Sequence, residues 1–163
     1  MLRKVIFLDR DGVVNVERGE YTFKVSDFKF VEGLFKALEN LSKQGFEFIV
    51  ITNQGGISKR IYNHNDVFLV HSHMNEEFKK HHIPLLDVYY CPHHNEIEKC
   101  ICRKPDSLML EKAIAKYQID ASNSYFIGDS ERDILAAQKV NITGIKVNKN
   151  DDINNYLNQI KTP

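Results

Sequence analysis

Val5-Ile6-Phe7-Leu8-Asp9-Arg10-Asp11-Gly12-Val13-Val14-Asn15 begins with four consecutive apolar residues and breaks off in an acidic turn. So short an unbroken apolar run reads as a strand covered on both faces, as the strands of parallel sheets are. Runs of the same kind recur at Phe46 to Thr52, Asp87 to Cys91, Ser124 to Gly128 and Thr143 to Val147. Between them the apolar spacing turns helical, first at Val31, Leu34, Phe35, Leu38 and Leu41, then at Val67, Val70, Met74 and Phe78. Later helices are expected around Leu110, Ile114 and Tyr117, around Ile134 and Ala137, and in an amphipathic tail from Asp151 to Pro163. Strands alternating with helices predict an α/β fold, a Rossmann-like three-layer sandwich around a mainly parallel five-stranded sheet with right-handed crossovers.

The 163 residues suit one domain spanning 1–163, and neither a repeat nor a Gly/Ser/Pro-rich linker divides them. Hydrophobic residues at 42% and charged ones at 27% are globular proportions, which excludes disorder and coiled coil. Lys plus Arg and Asp plus Glu both number 22, so no net charge steers the chain toward nucleic acid or an anionic membrane. The apolar run after the basic Met1-Leu2-Arg3-Lys4 is too short for a signal peptide or a membrane span. The expectation is a cytoplasmic protein, monomeric, with neither a membrane nor a nucleic-acid partner.

In open α/β sheets ligands bind beyond the carboxyl ends of the strands, where the polar residues here are Asp9, Thr52 and Asp129. Asp9 and Asp11 are two residues apart at a strand end and face one side, and carboxylates that close repel unless a cation or a proton intervenes. Ile127-Gly128-Asp129-Ser130-Glu131-Arg132-Asp133 brings a third carboxylate to the same edge, with Asp133 placed to support it; alone, Asp129 reads as readily as a helix N-cap. Converging carboxylates suit a hard divalent cation such as Mg²⁺ shared with a substrate phosphate. Thr52-Asn53-Gln54-Gly55-Gly56 offers hydroxyl, amide and backbone donors, and Arg103-Lys104 adds positive charge for a phosphorylated small molecule.

Together, Asp9-Arg10-Asp11-Gly12-Val13-Val14-Asn15, Thr52-Asn53-Gln54, Arg103-Lys104-Pro105 and Gly128-Asp129 with Asp133 resemble, in order, the four signature segments of the haloacid dehalogenase-like phosphohydrolases. The resemblance runs from Phe7 to about Val147 and is strongest to the capless branch that holds the heptose bisphosphate and histidinol-phosphate phosphatases. It implies a Mg²⁺-dependent phosphomonoester hydrolase without a cap domain, in which Asp9 is the nucleophile that becomes an aspartyl-phosphate and Asp11 the general acid and base. It further implies that Asp9, Asp129 and Asp11, the last through its backbone carbonyl, hold Mg²⁺. Thr52, Asn53, Gln54, Lys104, Arg103 and Asn15 would then bind phosphate and substrate. Heptose 1,7-bisphosphate is the favoured substrate and histidinol phosphate the alternative; a zinc-stabilised interaction module without catalysis is the reading from another class.

All three cysteines fall in one short stretch, where Cys91, His93, Cys100 and Cys102 form a Cys₃His set. Such a set suits a structural Zn²⁺ with no open position, and Glu96, Glu98 and Lys99 make the segment too polar for a core of free thiols. The same branch of the family carries a zinc loop ending in Cys-x-Cys-Arg-Lys-Pro, which places the zinc-binding loop at about 91–102. His94 is expected in a supporting or surface position, and His64, His71, His73, His81 and His82 are expected to face solvent.

Overall fold

The computed structural model describes residues 2–161; Met1, Thr162 and Pro163, the ends of the expected domain and tail, lie outside the described residues. The strands are β1 (Val5–Leu8), β2 (Glu47–Asn53), β3 (Leu85–Cys91), β4 (Tyr125–Gly128) and β5 (Thr143–Lys146). They form one sheet in the order β3-β2-β1-β4-β5, and every neighbouring pair is parallel. The helices are α1 (Leu34–Lys43), α2 (His64–Lys80), α3 (Leu108–Tyr117) and α4 (Glu131–Gln138). The third strand starts two residues before its expected place, because the register slips between Phe48 and Ile49 and pairs Phe48 with Leu85.

Alternation along β1 divides the core. Ile6 and Leu8 join Phe48, Val50 and Ile127 beneath Leu34, Leu38, Val70 and Met74 on one face. Val5 and Phe7 join Ile49, Ile51 and Phe126 beneath Met109, Leu110, Ala113, Ala136 and Ala137 on the other. All four residues of β1 are fully buried. Each large side chain so covered contributes about 1.5–3 kcal/mol, which is why this strand carries no polar face. The three layers expected from the sequence are present.

From the central β1 the chain winds through β2 to β3 on one side, then crosses back over to β4 and β5 on the other. That strand-order reversal opens a crevice at the carboxyl edge, where Asp9 follows β1. From residue 9 to residue 33 the chain forms loops and one 3-10 turn, Val25–Asp27, so among the described residues no cap domain covers the crevice. No helix of the described residues is long and apolar enough to cross a membrane.

The tail departs from expectation. Ile153–Gln159 is a 3-10 helix rather than an amphipathic α-helix. Asp152 caps it by accepting from the Asn154 N–H (2.9 Å), and the Tyr156 hydroxyl donates back to Asp151 (2.7 Å). These short-range bonds tighten the winding while Ile153 and Ile160 reach the core.

Candidate active site

Asp9 extends β1 by one residue, its N–H donating to Ile127 (3.0 Å), which leaves its side chain in the crevice. Lys104 reaches it from the segment before α3. This ammonium is buried, with Nζ 2.8 Å from Asp9 Oδ1, 2.6 Å from Asp133 Oδ1 and 2.9 Å from the Ile51 carbonyl. Burial opposes the Lys104 charge, but Asp9 and Asp133 outweigh it and hold the lysine above its ordinary value. Asp133 is pinned from its other side, since the Ser130 N–H and Oγ both donate to Oδ2 (3.1 and 2.9 Å). Ser130 is also the N-cap of α4, so Asp129 is free of that task and turns to the crevice.

Asp9, Asp129 and Asp133 each offer an oxygen within 4.8 Å of the others. Burial and the charge of Asp133 push Asp129 above its usual range. Burial likewise pushes Asp9 up, against the pull of Lys104. A donor set of this chemistry fits a hard cation. Asp133 is bonded to Lys104 and Ser130, so Asp9 and Asp129 are the two carboxylates of the group that could meet a cation. Gly12 lets the loop close over them: its φ is +91°, and a Cβ there would collide with Asp129 Oδ2.

Asp11 stands outside that cluster. Arg10 Nε and Nη2 (3.3 and 2.8 Å) and Asn15 Nδ2 (3.0 Å) donate to its Oδ1, and Gln54 Nε2 (3.0 Å) donates to Oδ2. Burial raises the Asp11 carboxyl, but these bonds outweigh it and hold the group below its usual range. Its carboxylate is thus committed to Arg10, Asn15 and Gln54 and lies outside the carboxylate cluster.

Three expected substrate ligands have their side-chain polar groups engaged within the protein. Asn15 is fully buried, and its amide is spent on Asp11 and on the Val16 carbonyl. Gln54 donates to Asp11 and to Thr52 Oγ1 (2.9 Å), and its Oε1 accepts from the Tyr62 hydroxyl (2.6 Å). The Asn53 amide clamps the Lys104 main chain from both sides, donating to its carbonyl (3.1 Å) and accepting its N–H (3.0 Å). These side-chain bonds orient Asp11 and Lys104. Thr52, Asn53, Gln54, Arg103 and Lys104 line the crevice, a cavity of about 560 Å³ that also holds Asp9, Asp11 and Asp129, whereas Asn15 lies outside its lining.

His94, Arg132, Lys149 and Tyr21 line the same cavity without having been singled out from the sequence for the site. His71 is half-buried rather than open to solvent, and its Nε2 lies 3.3 Å from Arg10 Nη1.

Cys91, His93, Cys100 and Cys102 converge as expected, each offering a donor within 4.8 Å of the rest. His93 Nδ1 is 3.2 Å from Cys102 Sγ and 3.5 Å from Cys91 Sγ, and Cys91 Sγ is 3.0 and 3.8 Å from the sulfurs of Cys102 and Cys100. Three thiols and an imidazole this close fit tetrahedral zinc. The His93 carbonyl accepts from Arg103 Nη1 (2.9 Å), which ties Arg103 to the cluster.

Residues 4–157 match the family model described as polynucleotide kinase 3 phosphatase. The chain belongs to this phosphatase family. A D-glycero-alpha-D-manno-heptose-1,7-bisphosphate 7-phosphatase of Campylobacter jejuni is 37% identical over 99% of this chain and 92% of its own length. A D-glycero-beta-D-manno-heptose-1,7-bisphosphate 7-phosphatase of Haemophilus ducreyi is 36% identical over 87% of this chain and 81% of its own. The crystal structure of a D,D-heptose 1,7-bisphosphate phosphatase from B. bronchiseptica, complexed with magnesium and phosphate, superposes with a TM-score of 0.83 at 26% identity, over 98% of this chain and 88% of that one. The chain is thus a phosphatase of the haloacid dehalogenase-like type, and the fold and family expected from its four segments are borne out.

Proposed function

We propose that this phosphatase removes the 7-phosphate of D-glycero-D-manno-heptose 1,7-bisphosphate through an aspartyl-phosphate on Asp9. The observation that carries the chemistry is Lys104, buried between Asp9 and Asp133 and holding the nucleophile's carboxylate toward an open crevice. The heptose names of the relatives carry the substrate. Asp9 forms a bond to phosphorus as the bond from phosphorus to the sugar oxygen breaks, and Asp11 supplies the proton that the departing alkoxide takes. Asp11 then accepts a proton from water, which attacks the phosphorus and releases Asp9. Thr52, Lys104 and Arg103 hold the phosphoryl oxygens, so the protein contributes mainly position and charge.

Asp9, Asp129 and the Asp11 carbonyl would hold Mg²⁺, whose charge offsets that of the transferring phosphoryl group. Cys91, His93, Cys100 and Cys102 would hold a structural Zn²⁺ that stiffens the loop presenting Arg103 and Lys104. With no cap over the crevice, the enzyme works as a cytoplasmic monomer on a small phosphorylated metabolite and not on nucleic acid.

The test is phosphate release, with Mg²⁺, from heptose 1,7-bisphosphate, histidinol phosphate and a 3′-phosphorylated oligonucleotide, with Asp9→Asn as the blank. The proposal expects the highest kcat/KM on the heptose bisphosphate. A higher value on histidinol phosphate or on the oligonucleotide would replace the substrate and keep the chemistry.

A further inference from the structure

The polar network around Asp11 runs deeper than the reaction scheme uses. Arg10 is 1% exposed, so its guanidinium N–H groups must be met inside the protein. Nε and Nη2 donate to Asp11, and Nη2 donates also to the Thr22 carbonyl (2.7 Å). Nη1 faces His71 Nε2 on α2. A guanidinium has no acceptor, so this ring nitrogen accepts and the imidazole carries its proton on Nδ1. Burial and the Arg10 charge agree with that assignment, because they bring the His71 pKa down to about 3. The ring is braced edge-on by Tyr90, with centroids 5.8 Å apart, and Phe28 covers the guanidinium at 5.7 Å.

We infer that His71 is a positioning residue for the phosphatase reaction: by accepting from Arg10 Nη1 it sets the plane of the guanidinium whose other edge pins the Asp11 carboxylate. Without the acceptor, a buried N–H is left unmet, and the guanidinium turns to find another partner. Asp11 turns with it, because Oδ1 takes two of its three bonds from Arg10. The side-chain contacts that run from His71 through the Arg10 guanidinium to the Asp11 carboxylate reach neither Lys104 nor the carboxylates of Asp9 and Asp129, so the effect falls on proton delivery rather than on the nucleophile. The inference rests on the acid/base role proposed for Asp11.

The experiment compares His71→Phe, which keeps a ring and lacks an acceptor, with His71→Gln, whose amide oxygen restores one. Each is assayed on an alkyl phosphate, heptose 1,7-bisphosphate, whose alkoxide must be protonated, and on 4-nitrophenyl phosphate, whose phenolate need not be. For His71→Phe the alkyl kcat/KM is expected to fall about 10- to 100-fold, while the aryl kcat/KM, which reports only phosphoryl transfer to Asp9, stays unchanged within about twofold. His71→Gln is expected to recover most of the loss. Equal losses on both esters, no rescue by glutamine, or full activity of His71→Phe would each overturn the inference. If circular dichroism shows His71→Phe unfolded, His71→Leu takes its place. Asp11→Asn runs alongside: if it keeps alkyl phosphatase activity, the role of Asp11 fails. If it is inactive while His71→Phe is fully active, only the role of His71 fails.

Discussion

Replacing His71 by glutamine removes a titrating ring and keeps an acceptor for Arg10, which isolates the cost of burying a neutral imidazole. In the fold, burial first and the Arg10 charge second lower its pKa from 6.5 to about 3, against the opposing pull of Asp11. Between those values the unfolded chain binds a proton that the native state refuses. Stability therefore rises with pH across this window and is lost as pH falls from 6.5 toward about 3. Integrating between the two pKa values gives about 2.5 kcal/mol lost between about pH 7 and about pH 4.5. That is a large part of the roughly 5–15 kcal/mol that holds a domain together. Other titrating groups affect both proteins alike and cancel in the difference. Urea unfolding followed by circular dichroism at both pH values, in wild type and His71→Gln, measures it. The wild type should lose about 2.5 kcal/mol more than the variant; parallel losses would refute a buried, neutral His71.

Lys104→Met leaves Asp9 and Asp133 buried without their ammonium and should cost about 3–5 kcal/mol in EDTA, with part of the deficit recovered in Mg²⁺. An unchanged urea midpoint in EDTA would contradict the pairing. Gly12→Ala drives a methyl into Asp129 at a φ of +91°. Activity should fall by about 100-fold or more, and the Mg²⁺ concentration for half-activation should rise; normal Mg²⁺ titration would show that the loop does not depend on this glycine. Zinc removal should expose three reactive thiols per chain, lower the melting temperature and reduce activity, because Arg103 is tied to the His93 carbonyl. Thiols that react fully before chelation would argue against a metal-bound set.

The central strand was legible because burial on both faces leaves no polar position in Val5 to Leu8, and the alternation of strand and helix then dictated the layers. Asp9, Asp129 and the Cys₃His set were legible because few chemistries other than metal binding bring such residues together. The amides were not. Asn15, Asn53 and Gln54 read alike whether they meet a phosphate or a neighbouring side chain, and only the folded geometry spends their atoms on Asp11 and Lys104. Two signals were there to be used. His71 is four residues after Val67 and three before Met74, which sets it on the buried stripe of α2 rather than in solvent. Ser130 followed by Asp133 has the spacing of a capping box, which already assigns the N-cap to Ser130 and releases Asp129. The tail misled because its apolar spacing is compatible with either helix type, and the bonds around Asp151 and Asp152 decide it.

The most direct test of the account is rapid quenching of the enzyme in acid during turnover of heptose 1,7-bisphosphate, followed by mass spectrometry of the peptide that contains Asp9. Asp11→Asn is included on 4-nitrophenyl phosphate, whose leaving group needs no proton, to slow release of the phosphoryl group. The account predicts one phosphoryl group on Asp9, more of it in Asp11→Asn, and none in Asp9→Asn. Steady phosphate release by a protein whose Asp9 peptide is never phosphorylated, or by Asp9→Asn at the wild-type rate, would contradict it.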